Sequence, residues 1–309
     1  MPSWQARFFN RFVRVFVRRR DWGNAEALVR RTRRLFGAPV ALQHLALLGI
    51  RHERVANGSV RGEWLARPRY KTGVLLYIHG GGYVSCSAAT HRSITTSLAR
   101  RIGCRVFSAD YRTAPEAPFP SALDDVVATY HWLLAHEMPG TRIAIAGESA
   151  GGGLVLALAQ LIRDAALPAP ACLVALSPWT DLAGTGPSIR ANDGRCAMFR
   201  PENMPAFASV YLNGAPADDP RASPLYGDLG RLPPVLLQVS SSELLLDDAR
   251  RVHDGITAAG GSSHLTIYED VVHGWQLLTP FVPEARAAVR EVAQFVRQHL
   301  EGRPEDAAQ

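Results

Sequence analysis

Short apolar runs alternate with longer amphipathic stretches along most of the chain. Six of the short runs predict strands, and five of the amphipathic stretches, whose apolar residues recur at helical spacing, predict helices. The predicted strands are Gly73–His79, Arg105–Asp110, Arg142–Gly147, Ala171–Ser177, Pro234–Val239 and Leu265–Tyr268, and the predicted helices are His91–Ile102, Ser121–His136, Ala150–Ala165, Leu244–Ala259 and Pro283–Leu300. Because strand and helix alternate and the central strands are apolar on both faces, the pattern favours a mostly parallel, doubly wound α/β sheet. Two weaker strands near Arg51–Val55 and Gly62–Ala66 are expected to form an antiparallel edge.

One interval interrupts this alternation. Residues 183–232 carry no strand pattern, contain several glycines and prolines, and include one predicted helix, Pro201–Tyr211. Roughly 50 residues is far longer than an ordinary connection, so we expect an inserted cap. Residues 1–45 are the candidate second part of that cap. Residues 46–182 and 233–309 then form the two parts of the α/β core.

The first 36 residues form a basic amphipathic segment. They hold ten arginines and two acids, a formal charge of +8 in a chain whose total is +6. Trp4, Phe8, Phe12 and Phe16 recur every four residues and predict one face of a helix, which we call the aromatic stripe. We expect the stripe to pack on the protein itself, with the arginines in solvent. Contact with an anionic membrane surface is the alternative left open. Nucleic-acid binding is disfavoured, because no other part of the chain resembles a nucleic-acid module.

Composition narrows the class of protein. The chain has 309 residues, of which 47% are hydrophobic and 20% charged, as in ordinary globular proteins. No apolar run approaches the 18 residues that a membrane-spanning helix needs. The four cysteines lie far apart, which disfavours a zinc site or a disulfide framework and favours free, mostly buried thiols. No secretory signal pattern is visible, so we expect a cytoplasmic protein.

The most specific chemical motif is Gly147-Glu148-Ser149-Ala150-Gly151, which follows one predicted strand and opens a predicted helix. A G-x-S-x-G pattern in that context is typical of a nucleophile elbow, a sharp turn that exposes the serine hydroxyl at the carboxyl edge of the sheet. We therefore predict that Ser149 is a nucleophile. A purely structural glycine turn is the alternative.

A glycine-rich segment, His79-Gly80-Gly81-Gly82, follows another predicted strand. Glycines leave backbone N–H groups unobstructed, as an oxyanion hole requires. The amides of Gly81, Gly82 and Ala150 are therefore predicted to bind an oxyanion. A phosphate-binding loop is disfavoured because no G-x-G-x-x-G or G-K-[ST] pattern continues the motif. His79 is expected to be structural.

A serine nucleophile needs a histidine as general base. His253 and His299 fall within predicted helices, and His264 is expected to begin a strand. His273 follows the last predicted strand in a loop that can reach Ser149, so His273 is the predicted base.

The acid of the site is expected after the strand Pro234–Val239 and before the histidine. Glu243 lies nearest the end of that strand and is the predicted acid, and Asp247 stays open as the alternative. Its carboxylate would orient the imidazole and stabilise the charged form.

These motifs together resemble the hormone-sensitive-lipase-like family of α/β-hydrolases, the bacterial carboxylesterases of family IV. The resemblance spans roughly residues 73–300 and depends on the order of six segments. They are His79-Gly80-Gly81-Gly82-Tyr83, Asp110-Tyr111-Arg112-Thr113-Ala114-Pro115-Glu116, Phe119-Pro120-Ser121-Ala122, Gly147-Glu148-Ser149-Ala150-Gly151-Gly152, Ser177-Pro178-Trp179-Thr180-Asp181-Leu182 and His273-Gly274. The resemblance implies an α/β-hydrolase fold with a helical cap, and activity on short- to medium-chain acyl esters in lipid metabolism, without a metal or cofactor. It also leaves a homodimer open.

Three positions depart from the family pattern. Glu148 stands where aspartate is usual, Glu243-Leu244 stands where aspartate-proline is common, and Trp275 replaces a common phenylalanine. Glutamate can serve as the acid, and the segment around Tyr111-Arg112 is expected to order the loop beside the oxyanion hole.

The predicted function is that of a serine carboxylesterase which acts on small ester substrates through an acyl-enzyme. The acyl pocket is expected to involve the aromatic stripe together with Phe207 and Tyr211. An amidase, a lactonase or a lipase on the same site stays open. A non-catalytic small-molecule receptor of this fold is disfavoured, because Ser149 and His273 are both present.

Overall fold

The computed structural model describes residues 1–19, 23–37, 40–70, 73–136 and 143–301, with only the backbone for residues 40–42. Arg20 and Asp21, which count among the ten arginines and two acids of the first 36 residues, lie outside the described residues. So do Arg142, the first residue of one predicted strand, and residues 302–309 of the second core segment.

Eight strands of the described residues form one mixed sheet. They are β1 (Arg51–Asn57), β2 (Val60–Ala66), β3 (Val74–Ile78), β4 (Arg105–Ala109), β5 (Ile143–Glu148), β6 (Leu173–Leu176), β7 (Val235–Ser240) and β8 (Ser263–Tyr268). Their order is β1-β2-β4-β3-β5-β6-β7-β8. β1 and β2 pair antiparallel at one edge, β2 pairs antiparallel with β4, and all later pairs are parallel. The predicted mostly parallel sheet with an antiparallel edge is confirmed.

Ten α-helices accompany these strands in the described part of the chain. They are α1 (Trp4–Val13), α2 (Ala25–Phe36), α3 (Val40–Leu45), α4 (Arg92–Ile102), α5 (Ser121–His136), α6 (Ala150–Asp164), α7 (Ser188–Ala191), α8 (Met204–Leu212), α9 (Leu246–Ala258) and α10 (Pro283–Glu301). All five helices predicted between strands are present, because each has a long, regular apolar face bounded by a clear stop such as Gly103, where φ is 77°.

The two faces of the sheet are covered by different helices. Along β3, alternate side chains point to opposite faces, so that Leu75 joins an apolar cluster with α4 and α10 while Leu76 joins the cluster of α5, α6 and α9. Every residue of β3 and β5 is buried. Burial on both faces explains why these strands read as continuous apolar runs rather than as alternating patterns.

Residues 183–232 contain no strand and are described in full. A short 3-10 helix, Pro201–Asn203, leads into α8, so the predicted helix Pro201–Tyr211 is present with a tighter first turn. The four-residue helix α7 was not predicted, because it is too short to show an apolar period. Helix α2 packs against α8, which brings the N-terminal segment onto this interval.

The expected packing of the aromatic stripe against the protein is wrong. Trp4, Phe8, Phe12 and Phe16 are 67%, 58%, 47% and 50% exposed, and it is the opposite face of α1, with Ala6 and Asn10, that is buried. A single turn of π-helix, Arg14–Arg18, continues α1.

Polar contacts explain this orientation of α1. Ser3 donates to the Glu284 carboxylate through both its backbone N–H and its hydroxyl, at 2.5 and 2.7 Å, and Asn10 Nδ2 donates to the Asp270 carbonyl oxygen at 2.7 Å. The Arg14 and Arg18 guanidinium groups donate to backbone carbonyls of residues 194–199. Periodicity in the sequence identifies the two faces of a helix, and these partners, distant in sequence, decide which face is buried. Among the described residues, no helix is both long enough and apolar enough to cross a bilayer.

Candidate active site

Ser149 lies in a sharp turn between β5 and α6. Its backbone adopts φ 55° and ψ −119°, a strained conformation for a residue with a side chain. The turn is held because the Ser149 N–H donates to the Leu176 carbonyl at 2.8 Å and the Ser149 carbonyl accepts from Trp179 N at 3.0 Å. A Cβ on Gly151 would lie 2.1 Å from the Ile78 carbonyl oxygen, so the close approach of α6 to β3 requires glycine there.

The structure brings His273 beside Ser149. His273 follows β8, in the loop before α10, and its Nε2 lies 2.9 Å from Ser149 Oγ. Its Nδ1 lies 2.5 Å from Glu243 Oε2. With Nδ1 protonated and donating to the carboxylate, Nε2 is the nitrogen that can accept a proton from the serine hydroxyl. All three side chains are buried.

Glu243 is fixed by contacts to both of its carboxylate oxygens. It lies in the turn after β7, where its Oε1 accepts from Ser177 Oγ at 2.7 Å and from Ser240 N at 2.9 Å, leaving Oε2 for His273. Asp247, the alternative acid, instead accepts from the Ser188 N–H at 2.7 Å. In the described structure, Glu243 is therefore the one of these two acids that contacts the imidazole.

The surroundings of His273 favour its charged form. Burial alone lowers the pKa of this imidazole, but the charge and hydrogen bond of Glu243, together with the charge of Glu148, outweigh burial and raise the pKa above its ordinary value. An imidazole with a raised pKa is a stronger base towards the serine hydroxyl.

Glu148 is a site residue that the sequence reasoning missed. Its Oε1 lies 3.4 Å from His273 Nε2, and its Oε2 lies 3.4 Å from His91 Nε2. A Cβ on Gly80 would lie 2.0 Å from Oε2, and one on Gly274 would lie 2.9 Å from Oε1. The carboxylate thus fills the space between the glycine loop and the histidine loop. The available signal was its place in the G-x-S-x-G motif, directly before the predicted nucleophile.

The glycine loop after β3 passes close to Ser149. Gly81 and Gly82 have φ values of 111° and 62°, which side chains rarely adopt, and a Cβ on Gly82 would lie 3.2 Å from the Phe207 ring. Within the described residues, the N–H groups of Gly81, Gly82 and Ala150 donate to no protein acceptor. These amides are therefore available to a ligand oxygen.

Contacts between Tyr111 and His79 stabilise the glycine loop after β3. Tyr111 Oη donates to the His79 carbonyl oxygen at 2.9 Å, and the two rings stack at 4.2 Å. His79 is fully buried, and burial lowers its pKa to about 3. His79 therefore stays neutral and structural, and the segment around Tyr111 orders this loop as expected.

A cleft with about 630 Å³ of empty space, including its open mouth, lies over Ser149. Its wall is mostly apolar and includes Thr32, Phe36, Cys86, Trp179, Met198, Phe199, Met204, Phe207, Leu245 and Leu277. Phe207 lines the cleft as expected, but the expectation for Tyr211 and the aromatic stripe is wrong. Tyr211 is buried, and its ring stacks on that of Tyr83 at a centroid distance of 3.8 Å instead of lining the cleft.

Two further features bear on the chemistry. Burial raises the pKa of the Cys86 thiol to about 11, so this cysteine in the cleft wall is a protonated, weak nucleophile.

Among the residues that the structure describes, no group of three or more His, Cys, Asp or Glu side chains is placed to hold a metal ion.

Comparisons with known proteins agree with this geometry. A family model described as the α/β hydrolase fold matches residues 75–277. An acetyl-hydrolase of Streptomyces hygroscopicus is 39% identical over 243 residues, 79% of this chain and 81% of that protein. An esterase of Acinetobacter venetianus is 36% identical over 237 residues, 76% of this chain and 78% of that protein. A crystal structure of an esterase from the bacterial hormone-sensitive lipase family, 37% identical, superposes with a TM-score of 0.86 over 97% of this chain and 99% of that one.

Proposed function

This chain belongs to the α/β-hydrolase fold family, among the esterases of the hormone-sensitive-lipase type, and we propose that this carboxylic ester hydrolase acts through Ser149, His273 and Glu243. The observation that carries the proposal is the continuous hydrogen-bonded series from Ser149 Oγ through the imidazole to the Glu243 carboxylate, at 2.9 and 2.5 Å. A nucleophile, a base and an orienting acid in that geometry are the requirements for acyl transfer.

In the first half of the reaction, Ser149 Oγ attacks the carbonyl carbon of the ester while its proton passes to His273 Nε2. The carbonyl oxygen becomes an oxyanion, which the amides of Gly81, Gly82 and Ala150 bind. One such donor is worth about 3–4 kcal/mol in comparable sites. The tetrahedral intermediate collapses, the C–O bond to the alcohol breaks, and the alcohol leaves with the proton from the imidazolium.

In the second half, water replaces the alcohol. His273 takes a proton from water as the hydroxide adds to the acyl carbon. The bond from that carbon to Ser149 Oγ then breaks, the carboxylic acid leaves, and Oγ takes the proton back from the imidazolium. Glu243 keeps Nδ1 protonated and stabilises the imidazolium in both halves. Neither half of the proposed reaction needs a metal or a cofactor.

The acyl group lies, in this proposal, in the apolar cleft between α2 and α8. Thr32 and Phe36 come from α2 and Phe207 from α8, which supports a cap built from residues 1–45 and 183–232. The cleft is open and lined by large side chains close to Ser149, so we expect short- to medium-chain acyl esters to be the substrates.

The test is Ser149→Ala, assayed on p-nitrophenyl esters from acetate to palmitate. We expect the variant to lose at least about 10⁴-fold in kcat, and the wild type to react fastest with short chains. A fluorophosphonate should label the wild type and leave the variant unlabelled. Ser262→Ala, which removes the same hydroxyl from an exposed serine just before β8, is the matched control. A variant at Ser149 that keeps full activity would eliminate the proposal.

A further inference from the structure

We propose that the exposed face of α1 and its π-helical turn docks on the surface of a bilayer that contains anionic phospholipids. The aromatic stripe of α1 is exposed to solvent instead of packing on the protein. An exposed, continuous row of large apolar side chains is unusual on a protein surface and marks a contact site.

The stripe forms one connected apolar surface. The rings of Phe8 and Phe12 stack at 6.5 Å, those of Phe12 and Phe16 lie 4.6 Å apart, and Trp4 and Val15 extend the row as exposed side chains. Tryptophan and phenylalanine are the side chains that enter the boundary between headgroups and acyl chains when a helix lies in the membrane plane.

Basic side chains border the stripe. Arg7 and Arg11 are exposed on the same helix, one turn apart, and Arg19 is exposed at its end. Beside the helix, a basin is lined by Arg14, Arg18, Arg19 and Arg200 together with Asp193 and Glu202. Asp193 pairs with Arg18 at 2.5 Å, and Glu202 lies 3.9 Å from Arg200. Positive charge therefore exceeds negative charge around the stripe, which matches the phosphates of anionic lipids.

Contacts with the rest of the protein fix the orientation of α1. The contacts of Ser3 with Glu284 and of Asn10 with Asp270, described above, fix its buried face, so the stripe needs no folding step to be presented. A rigid, preformed surface loses less conformational entropy on binding than a disordered segment does.

A bilayer suits this surface better than a second copy of the chain does. A symmetric dimer through the stripe would bring the arginines of two copies together, and like charges in an interface oppose association. An anionic bilayer buries the same rings and neutralises the same arginines. The helix also lies next to the cleft, because Arg18 donates to the carbonyl of Phe199, whose ring packs 5.1 Å from that of His273.

The experiment measures sedimentation of the full chain with vesicles of phosphatidylcholine alone and of phosphatidylcholine mixed with phosphatidylglycerol, at low and high salt. Ser149→Ala is measured beside the wild type, so the result does not depend on the esterase proposal. We expect binding to the mixed vesicles at low salt and weaker binding at high salt, where surface charges are screened. Equal binding to both vesicles at both salt concentrations would overturn the role of the arginines.

Two double variants test the surface itself. We expect Phe8→Ser/Phe12→Ser to weaken vesicle binding at least about tenfold, and Arg7→Gln/Arg11→Gln to weaken it about 10- to 30-fold. The matched controls are Leu48→Ser, a still more exposed apolar side chain outside α1, and Arg290→Gln/Arg297→Gln, exposed arginines on α10. Both controls should bind as the wild type does.

Activity on soluble p-nitrophenyl acetate should be unchanged in the stripe variants, since none of these side chains lines the cleft, and that activity also shows that they fold. Absence of binding to any vesicle, or stripe variants that bind as well as the wild type, would overturn the proposal. So would a dimer in sedimentation velocity that Phe8→Ser/Phe12→Ser dissociates while no vesicle binds, because the stripe would then be an interface between two copies.

Discussion

At the scale of single residues, the site depends on two carboxylates placed on opposite sides of one imidazole. Glu243 contacts Nδ1 of His273 at 2.5 Å, and Glu148 lies 3.4 Å from Nε2. The first contact fixes the tautomer and the ring plane. The second puts negative charge on the side of the imidazole that, in the proposed mechanism, takes the serine proton. The two carboxylates therefore have different roles and predict different kinetic effects.

Glu243→Gln should lower kcat by about 10³- to 10⁴-fold, because an amide neither holds the required tautomer nor stabilises the imidazolium. Asp247→Asn is the matched control, since Asp247 contacts the backbone of Ser188. We expect it to change kcat by less than about threefold. Initial rates on p-nitrophenyl butyrate decide between the two, and the reverse order of effects would assign the acid to Asp247.

The pH dependence tests Glu148. His273 must be neutral to act as base, so kcat/KM should rise with pH, with a midpoint above the ordinary histidine value of about 6.5 because the pKa of His273 is raised. Glu148→Gln keeps the size of the side chain and removes a charge that raises this pKa. We expect the midpoint to move down by about one pH unit.

The control for Glu148→Gln is Glu202→Gln, an exposed acid of the insertion, which should leave the profile unchanged. A Glu148→Gln profile that coincides with that of the wild type would show that Glu148 only fills space between Gly80 and Gly274.

The structure brings together the residues that the motifs singled out, and their catalytic roles stay predictions. The motif Gly147-Glu148-Ser149-Ala150-Gly151 singled out Ser149 at the end of a strand. The loop after the last strand singled out His273. The sequence did not predict that the Glu148 carboxylate lies beside His273, because the direction of that side chain follows from the strained turn at Ser149 rather than from any spacing. It favoured Glu243 for its place nearest the end of β7 but left Asp247 open, since both follow β7 and their contacts with Ser177 and Ser188 distinguish their positions in space.

At the scale of elements, α2 connects the N-terminal segment to the site. It contributes Thr32 and Phe36 to the cleft, and Arg33 ties it to the neighbouring loops. Arg33 Nε donates to the Val84 carbonyl oxygen at 2.8 Å, and its two terminal nitrogens donate to the Glu116 carboxylate at 2.7 and 2.6 Å. The position of one wall of the cleft therefore depends on this side chain.

Arg33→Gln should loosen α2 and disturb the binding of longer acyl chains more than that of acetate. We expect KM for p-nitrophenyl hexanoate to rise about three- to tenfold, which corresponds to about 1 kcal/mol of lost binding, with a smaller change for acetate. Arg34→Gln, one residue on and exposed, is the control. Equal changes for both esters would show that α2 does not select the chain length.

Periodicity in the sequence is sufficient to predict the helices between strands, but it does not predict how α1 packs. The helices between strands were predicted to within two residues, because both of their ends and their apolar faces are set locally. For α1 the same periodicity identified the aromatic stripe and led to the wrong packing. Its burial depends on Glu284 and Asp270, more than 250 residues away, and no local pattern contains them.

At the scale of the whole molecule, strand order follows from a few rules rather than from single contacts. Alternating strands and helices imply parallel pairing, and continuous apolar runs imply central strands. The sequence therefore predicted the sheet and the end of it that carries the site. The cap boundaries stay a prediction. The cytoplasmic location also stays a prediction and the homodimer stays open, since both depend on partners or surroundings outside the chain.

The last prediction concerns the stability of the whole fold. Arg92, at the start of α4, is fully buried and donates to both oxygens of Glu63 on β2, at 2.9 and 2.6 Å. Burial raises the pKa of Glu63, but the hydrogen bonds of Arg92 and His52 outweigh burial and lower it. The pair thus stabilises the fold above the ordinary glutamate range, and this contribution is lost as pH falls through the lowered pKa.

Arg92→Ala should destabilise the protein by about 3–5 kcal/mol at neutral pH, because it leaves the buried Glu63 carboxylate without its main partner. The double variant Glu63→Leu/Arg92→Met removes both charges and keeps the volume, so most of that loss should return. Arg290→Ala, an exposed arginine, is the control and should stay within about 0.5 kcal/mol. Urea unfolding followed by circular dichroism measures all three, and a double variant as unstable as Arg92→Ala would show that packing, rather than the unpaired charge, explains the loss.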